Sequence, residues 1–230
     1  MSAGQFRSEI SDLVNLHFKQ RKDLKLFEAG CGSASHFGFE GIARSVGIDI
    51  SQDVLDKNTM LDEKILGDLQ THPLPKRQFD IVVCWDVLEH LPRPQAALAN
   101  MFATVSSDGL LVLGFPHLIS IKGLVTKFTP YSFHVWLYKT VLKYDFVPFP
   151  TFLSTDIIPR RVVEFGEENG FSALYFKVEQ GGVTARLAKK LWLFKAATHS
   201  VDALWRLSTL GKYPSLLADN CAIVLQRNGR

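Results

Sequence analysis

Apolar positions at the start of the chain recur at helical spacing. Phe6, Ile10, Leu13, Val14 and His17 share one side of the stretch from Gln5 to Lys19, with Arg7, Glu9, Asp12 and Lys19 elsewhere. That pattern predicts an amphipathic helix. The period then changes. Leu24 to Phe27, Ser45 to Ile50, Lys64 to Asp68, Phe79 to Trp85 and Leu110 to Phe115 are short apolar runs of strand type. Phe79-Asp-Ile-Val-Val-Cys-Trp85 is the clearest, apolar and β-branched as in a parallel strand buried on both faces. Between the runs, Ser35 to Arg44, Asp53 to Met60 and Gln95 to Val105 read as helices, with Ser51 as cap of the second. Thr71 to Gln78 holds prolines and reads as a surface loop, and Ser106 to Gly109 as a turn. Further on, a helix ends at Asn169 with Gly170 as its stop. Strands Phe171 to Val178 and Cys221 to Gln226 follow. Strands alternating with helices predict an α/β fold with a doubly wound parallel sheet.

Composition adds bounds. A chain of 230 residues can bury one sizeable α/β core. With 47% apolar and 21% charged residues it is ordinary for a globular protein. A net charge of +3 gives no sign of a nucleic-acid binder. Cys31, Cys84 and Cys221 read as reduced, buried thiols, which leads to the expectation of a cytoplasmic protein. Met1 to Gln20 lacks the apolar core of a signal peptide, and no run is suited to span a bilayer. The histidines form no metal-ligand pattern, so no metal is expected.

The candidate chemistry begins where the first strand ends. Leu24-Lys-Leu-Phe-Glu-Ala-Gly-Cys-Gly-Ser-Ala-Ser35 runs from a strand into a glycine-rich turn. Without Cβ atoms there, a ligand can approach the backbone. In an open α/β sheet such a turn lies at the carboxyl edge, where ligands bind. A dinucleotide fingerprint needs a third glycine, and that position is Ser35. A P-loop fails for want of Gly-Lys-Ser/Thr. Asp49 ends the second strand near the spacing (about 20 residues) at which an acidic residue accepts a pair of ribose hydroxyls.

Glu28-x-Gly30-x-Gly32 resembles the first motif of class I S-adenosylmethionine-dependent methyltransferases. Phe79-Asp-Ile-Val through Val87-Leu-Glu-His-Leu91 closely resembles their fourth motif. The likeness covers roughly residues 24 to 116, and more loosely 155 to 180 and 219 to 227. It implies the Rossmann-like methyltransferase fold: a doubly wound, seven-stranded sheet, mostly parallel, with an antiparallel last strand. It implies S-adenosyl-L-methionine as cofactor, held by Glu28, Ala29, Gly30, Cys31, Gly32, Asp49, Ile50, Asp68, Leu69, Trp85 and Asp86. For Asp68 a plain turn role stands beside adenine contact.

Against that family's minimal fold the chain reads as one domain, 1–230, with two insertions. The first, 116–155, starts at the ligand edge and carries Phe128, Tyr131, Phe133, Trp136, Tyr138, Tyr144, Phe146, Phe149 and Phe152. Long insertions at such an edge act as lids, and satellite packing is the alternative. His117 and His134 within it are the candidate catalytic bases. The second, 183–210, is helical, with Leu187, Leu191, Phe194, Val201 and Trp205 on one stripe and Arg186, Lys189, Lys190 and Lys195 making it basic. It reads either as a helix packed on its own protein or as a peripheral membrane contact. The expected function is methyl transfer to a small, apolar or lipid-like acceptor, with no nucleic acid involved. The alternative is a non-catalytic protein that keeps the fold.

Overall fold

In the computed structural model, residues 3–118, 120–141, 143, 151–152, 154–180, 192–209 and 214–229 are described. Its strands are β1 (Leu24–Ala29), β2 (Ile42–Asp49), β3 (Glu63–Leu66), β4 (Phe79–Trp85), β5 (Val105–Pro116), β6 (Phe171–Glu179) and β7 (Asn220–Arg227). They form one seven-stranded sheet in the order β3-β2-β1-β4-β5-β7-β6. The first five run parallel, and β7 lies antiparallel between β5 and β6, which is the expected topology. The strand order reverses between β1 and β4, so the carboxyl ends of those two strands flank the crevice of a doubly wound sheet.

Every residue of β4 is buried, because apolar side chains project from both of its faces. On one face Val82 and Cys84 join Phe27 and residues of α3 (Pro94–Thr104) and α6 (Pro159–Glu168). On the other, Ile81, Val83 and Trp85 meet Phe6, Ile10 and Val14 of α1 (Ala3–His17). The predicted first helix therefore forms and buries its apolar stripe. A core leucine, isoleucine or phenylalanine buried this way contributes roughly 1.5–3 kcal/mol.

Four local expectations change. No helix spans Ser35 to Arg44, and β2 begins at Ile42. Phe37 and Phe39 are both buried and stacked, with ring centroids 5.2 Å apart, across an exposed Gly38. A two-residue repeat of this kind is extended, and Gly41 at φ 74 turns the chain into the strand. Helix α2 is short, Gln52–Lys57, and Ser51 makes no side-chain cap. Ser106 to Gly109 is a bulge within β5: Phe79 pairs with Val105, Ile81 with Leu110, and Asp108 takes φ 58. The carboxyl stop of α6 is as expected, with Gly170 at φ 81.

The segment 116–155 contributes α4 (Ile121–Phe128) and α5 (Tyr131–Trp136), and the segment 183–210 contributes α7 (Trp192–Ser208). Both are tied to the segment leading into β7. Ile121 N–H donates to the Leu216 carbonyl at 2.8 Å, and Asp202 on α7 accepts Leu216 N–H at 2.7 Å. Helix α7 presents an unexpected face. Thr198 and Asp202 are buried, whereas Val201, Leu204 and Leu207 are 50%, 67% and 72% exposed. The apolar side thus points outward, because the inner face is held by polar contacts to 214–216. Tyr144, Phe146, Phe149, Arg186, Leu187, Lys189, Lys190 and Leu191 lie outside the described residues, as do the side chains of Tyr138, Phe194 and Lys195. Among the described residues no helix is long and apolar enough to cross a membrane.

Candidate active site

The glycine turn is shaped by β2. Gly30 and Cys31 N–H groups donate to the Ile48 carbonyl at 2.8 and 3.0 Å. Gly30 and Gly32 sit at φ 72 and 58, where residues with a Cβ are strained. Their roles differ. A Cβ at Gly30 would meet the Val87 side chain at 2.5 Å, whereas one at Gly32 would find no heavy atom within 4 Å. Gly30 permits packing, and Gly32 leaves the edge of the turn open. Asn58, fully buried, donates to the Gly32 carbonyl at 3.2 Å from beneath. Nothing in the sequence pattern singles out that asparagine.

Asp49 sits beside the turn. One of its oxygens accepts Gly32 N–H and the other Ser51 N–H, each at 3.0 Å. Each oxygen keeps a second lone pair, so the carboxylate can still accept two hydroxyl protons. Ile50, next in the chain, is 76% exposed and offers an apolar platform at the same edge. Asp68 follows β3 nearby, with Gly67 N–H donating to the Asp49 carbonyl at 2.9 Å. Its carboxylate accepts Gln70 N–H at 2.8 Å and the Gln70 amide at 2.9 Å. Leu69 is buried behind it.

Glu28 is 2% exposed and its Oε1 has no hydrogen-bond partner. Burial raises its pKa, and a hydrogen bond with Ser35 opposes that rise. A buried acceptor left unpaired is costly. A ligand ammonium would satisfy it. Orphaned carboxylate, open glycine and hydroxyl-accepting aspartate together fit the amino-acid end and ribose of S-adenosylmethionine. Ala29 and Cys31 are buried in the same turn, and burial pushes the Cys31 thiol up to about 12, too high for a nucleophile.

The end of β4 builds a cleft beside this cradle. Trp85 lies flat over β5 because residue 114 is glycine, where a Cβ would stand 2.4 Å from the indole. Phe37 packs edge-on to the same ring at 5.1 Å. Asp86 turns the chain at φ 56, and its N–H donates to the Gly114 carbonyl at 2.8 Å. The cleft is walled by Phe6 and Arg7 of α1, Trp85, Asp86, Phe115 of β5, and Asn220 and Cys221 of β7. Asp86 opens to solvent but is flanked by protein, and that desolvation raises its pKa against the pull of the cations Lys122 and Arg7. Arg7, His36 and Asn220 escaped the sequence reading. They come from three distant segments, and only the fold brings them together.

Of the histidines singled out as bases, His117 is not among these walls. His117 follows β5, is 6% exposed, and hydrogen-bonds the Ala218 carbonyl. Its Nδ1 has no partner, and burial lowers its pKa, so the ring is neutral at pH 7. His134 lies on α5, and its side chain is outside the described residues.

Glu89, in the 3₁₀ turn Leu88–His90, is a second buried carboxyl. Desolvation, then the charge of Asp86, pushes its pKa to about 8. It is therefore protonated at neutral pH, and its 3.8 Å approach to His90 is no ion pair there. The folded protein then holds a proton that the unfolded chain releases above about 4.5, so stability falls as pH rises from that value to about 8. Replacing Glu89 with Gln removes that slope. Melting curves of Glu89→Gln should match wild type at pH 5 and lie on the order of 5 °C higher at pH 9. Parallel curves for the two proteins would mean that Glu89 stays ionised throughout.

The family model described as "Methyltransferase domain" matches residues 27–113. The chain is 30% identical over 83 residues to an uncharacterized protein of Methanocaldococcus jannaschii, a match of 36% of each chain. It is 25% identical over 117 residues to the mitochondrial ubiquinone biosynthesis O-methyltransferase of Saccharomyces cerevisiae, 46% of this chain and 38% of the other. These matches thus span little more than a third of either relative. The fold is similar to magnesium protoporphyrin IX methyltransferase from Synechocystis with bound SAM, at TM-score 0.52 and 14% identity over 97% of this chain and 79% of that one. Both motifs read from the sequence lie within the segment matched by the methyltransferase domain model, and the sheet places them at one edge; over that segment the chain is similar to methyltransferase domains, and its fold is similar to that of solved methyltransferases.

Proposed function

We propose that this chain transfers a methyl group from S-adenosylmethionine to a small, apolar or lipid-like acceptor. One observation carries the reading: a cradle with an orphaned carboxylate, Glu28, opens beside a cleft walled by Phe6, Trp85 and Phe115. When bound, the cofactor supplies an electrophilic methyl carbon on a sulfonium. The chain's own residues orient and desolvate. Glu28 pairs with the ammonium, Asp49 holds the ribose hydroxyls, and Ile50 packs on the base, with Asp68 and Leu69 beside it. Trp85 and the aromatic walls exclude water from the transfer line. A hydroxyl acceptor needs a base, and His117 and His134 are the proposed histidines, while Asp86 lines the cleft itself. S-adenosylhomocysteine should raise the melting temperature by several degrees and NAD should leave it unchanged. Stabilisation by NAD alone overturns the cofactor. A tritiated-methyl screen of acceptor pools then separates the enzyme from the alternative, a binding protein that retains the fold, since only the enzyme transfers label.

The insertion at 116–155 is proposed as a lid, and the helical insertion at 183–210 as a peripheral membrane contact. Phe128, Tyr131 and Trp136 on α4 and α5 are 78%, 46% and 52% exposed, and the outward face of α7 is apolar. Arg186, Lys189, Lys190 and Lys195 border that face in sequence. An apolar face bordered by cations suits an anionic bilayer. Hydrogen exchange in 121–136 should slow on adding S-adenosylhomocysteine. That in 192–208 should slow on phosphatidylglycerol vesicles but not on phosphatidylcholine vesicles. Unchanged exchange in both segments would identify them as packing elements.

A further inference from the structure

We propose that Arg7 and His36 form a binding site for a carboxylate, supplied either by the amino-acid end of the cofactor or by an acid group on the acceptor. The inference rests on the methyltransferase reading and adds a recognition element to it.

Arg7 enters the cleft from α1, with its guanidinium 5.8 Å from the centroid of Trp85. Its NH2 lies 3.3 Å from His36 Nδ1. Arginine only donates, so Nδ1 accepts, and the proton of the neutral imidazole sits on Nε2. Burial and the charge of Arg7 both lower the pKa of His36, in keeping with that neutral form. The pair therefore presents donors alone. Arg7 Nε is buried without a partner. Among the described residues no carboxylate lies within ion-pair distance of Arg7; Asp86, in the same cleft, acts on it only at longer range. A planar guanidinium with a free donor edge matches a carboxylate in two-point contact. The nearby Asp86 disfavours a dianion, which points to a carboxylate over a phosphate monoester. Position favours the same ligand. His36 follows Ser35, the partner of Glu28, so the pair stands at the junction of the cofactor cradle and the cleft.

The test compares wild type with Arg7→Met, Arg7→Lys and His36→Ala by calorimetric titration. The probes are S-adenosylhomocysteine, methylthioadenosine (which lacks the amino-acid end), and decanoate added with saturating S-adenosylhomocysteine. Arg7→Met should lose on the order of tenfold in affinity for one carboxylate probe, with partial recovery in Arg7→Lys and no change for methylthioadenosine. Loss on S-adenosylhomocysteine assigns the site to the cofactor, and loss on decanoate alone assigns it to the acceptor. His36→Ala leaves α1 intact and should weaken the same probe, so the test survives poor folding of an Arg7 variant. Equal binding of S-adenosylhomocysteine by all four proteins, with decanoate either unaffected or not bound by wild type, overturns the proposal. So does an equal loss on methylthioadenosine. A wild type that binds neither nucleoside sinks the methyltransferase reading instead.

Discussion

Gly32→Val should abolish binding of S-adenosylhomocysteine while leaving a folded protein. The residue sits at φ 58, so a β-branched side chain pays a backbone penalty of roughly 1–2 kcal/mol. No heavy atom lies within 4 Å of where its Cβ would stand, so the fold suffers no collision. The melting temperature should fall by only about 2–8 °C, given roughly 2–4 °C per kcal/mol at this chain length. The valine methyls would instead fill the open edge of the turn, where the cofactor's amino-acid arm belongs. Affinity should drop by on the order of a hundredfold or more, with Gly32→Ala in between. Gly30→Ala is the contrast. Its Cβ would strike Val87 at 2.5 Å, so that variant should lose stability first. A Gly32→Val protein that binds S-adenosylhomocysteine normally would remove the turn from the cofactor site.

Asp49→Ala should cost on the order of 2–4 kcal/mol of cofactor binding, through two lost charge-assisted hydrogen bonds to the ribose. From sequence alone, the fold should hardly notice the change. The structure alters that expectation. Asp49 also accepts Gly32 N–H and Ser51 N–H, so alanine leaves two backbone donors to find water. A stability loss of about 1–2 kcal/mol should accompany the binding loss. Calorimetric titration and denaturant melts separate the two effects. A stability loss with unchanged affinity would make Asp49 a tie for the turn and nothing more.

Local order along the chain was enough to read the sheet and the cradle. The apolar runs at Phe27, Ile81 to Val83 and Leu110 to Leu113 reach full burial because two-sided burial leaves that signature in composition. Glu28, Gly30, Gly32 and Asp49 were legible because a strand end, a positive-φ turn and the next strand end recur at fixed spacing. Where tertiary contacts outweighed local preference, the reading failed. Phe37 and Phe39 stack against the α1 side of the sheet, so no helix forms there. Thr198 and Asp202 turn α7 inside out because Ser215 and Leu216 bond to Asp202.

Of the cleft, only Trp85 and Asp86 at the end of β4 could be read from the sequence. Arg7, His36 and Asn220 carry no shared period or spacing, and each looks like an ordinary surface residue in its own segment. Their meeting depends on α1 crossing the sheet at Trp85, and that crossing depends on Gly114 leaving room for the indole. The carboxyl ends of β1 and β4 and the backbone geometry of the turn were legible in the order of residues, since both follow from interactions between near neighbours. Which distant polar groups face one another is set by the assembled fold, because burial and pairing across 29 residues, as for Arg7 and His36, arise after the sheet forms.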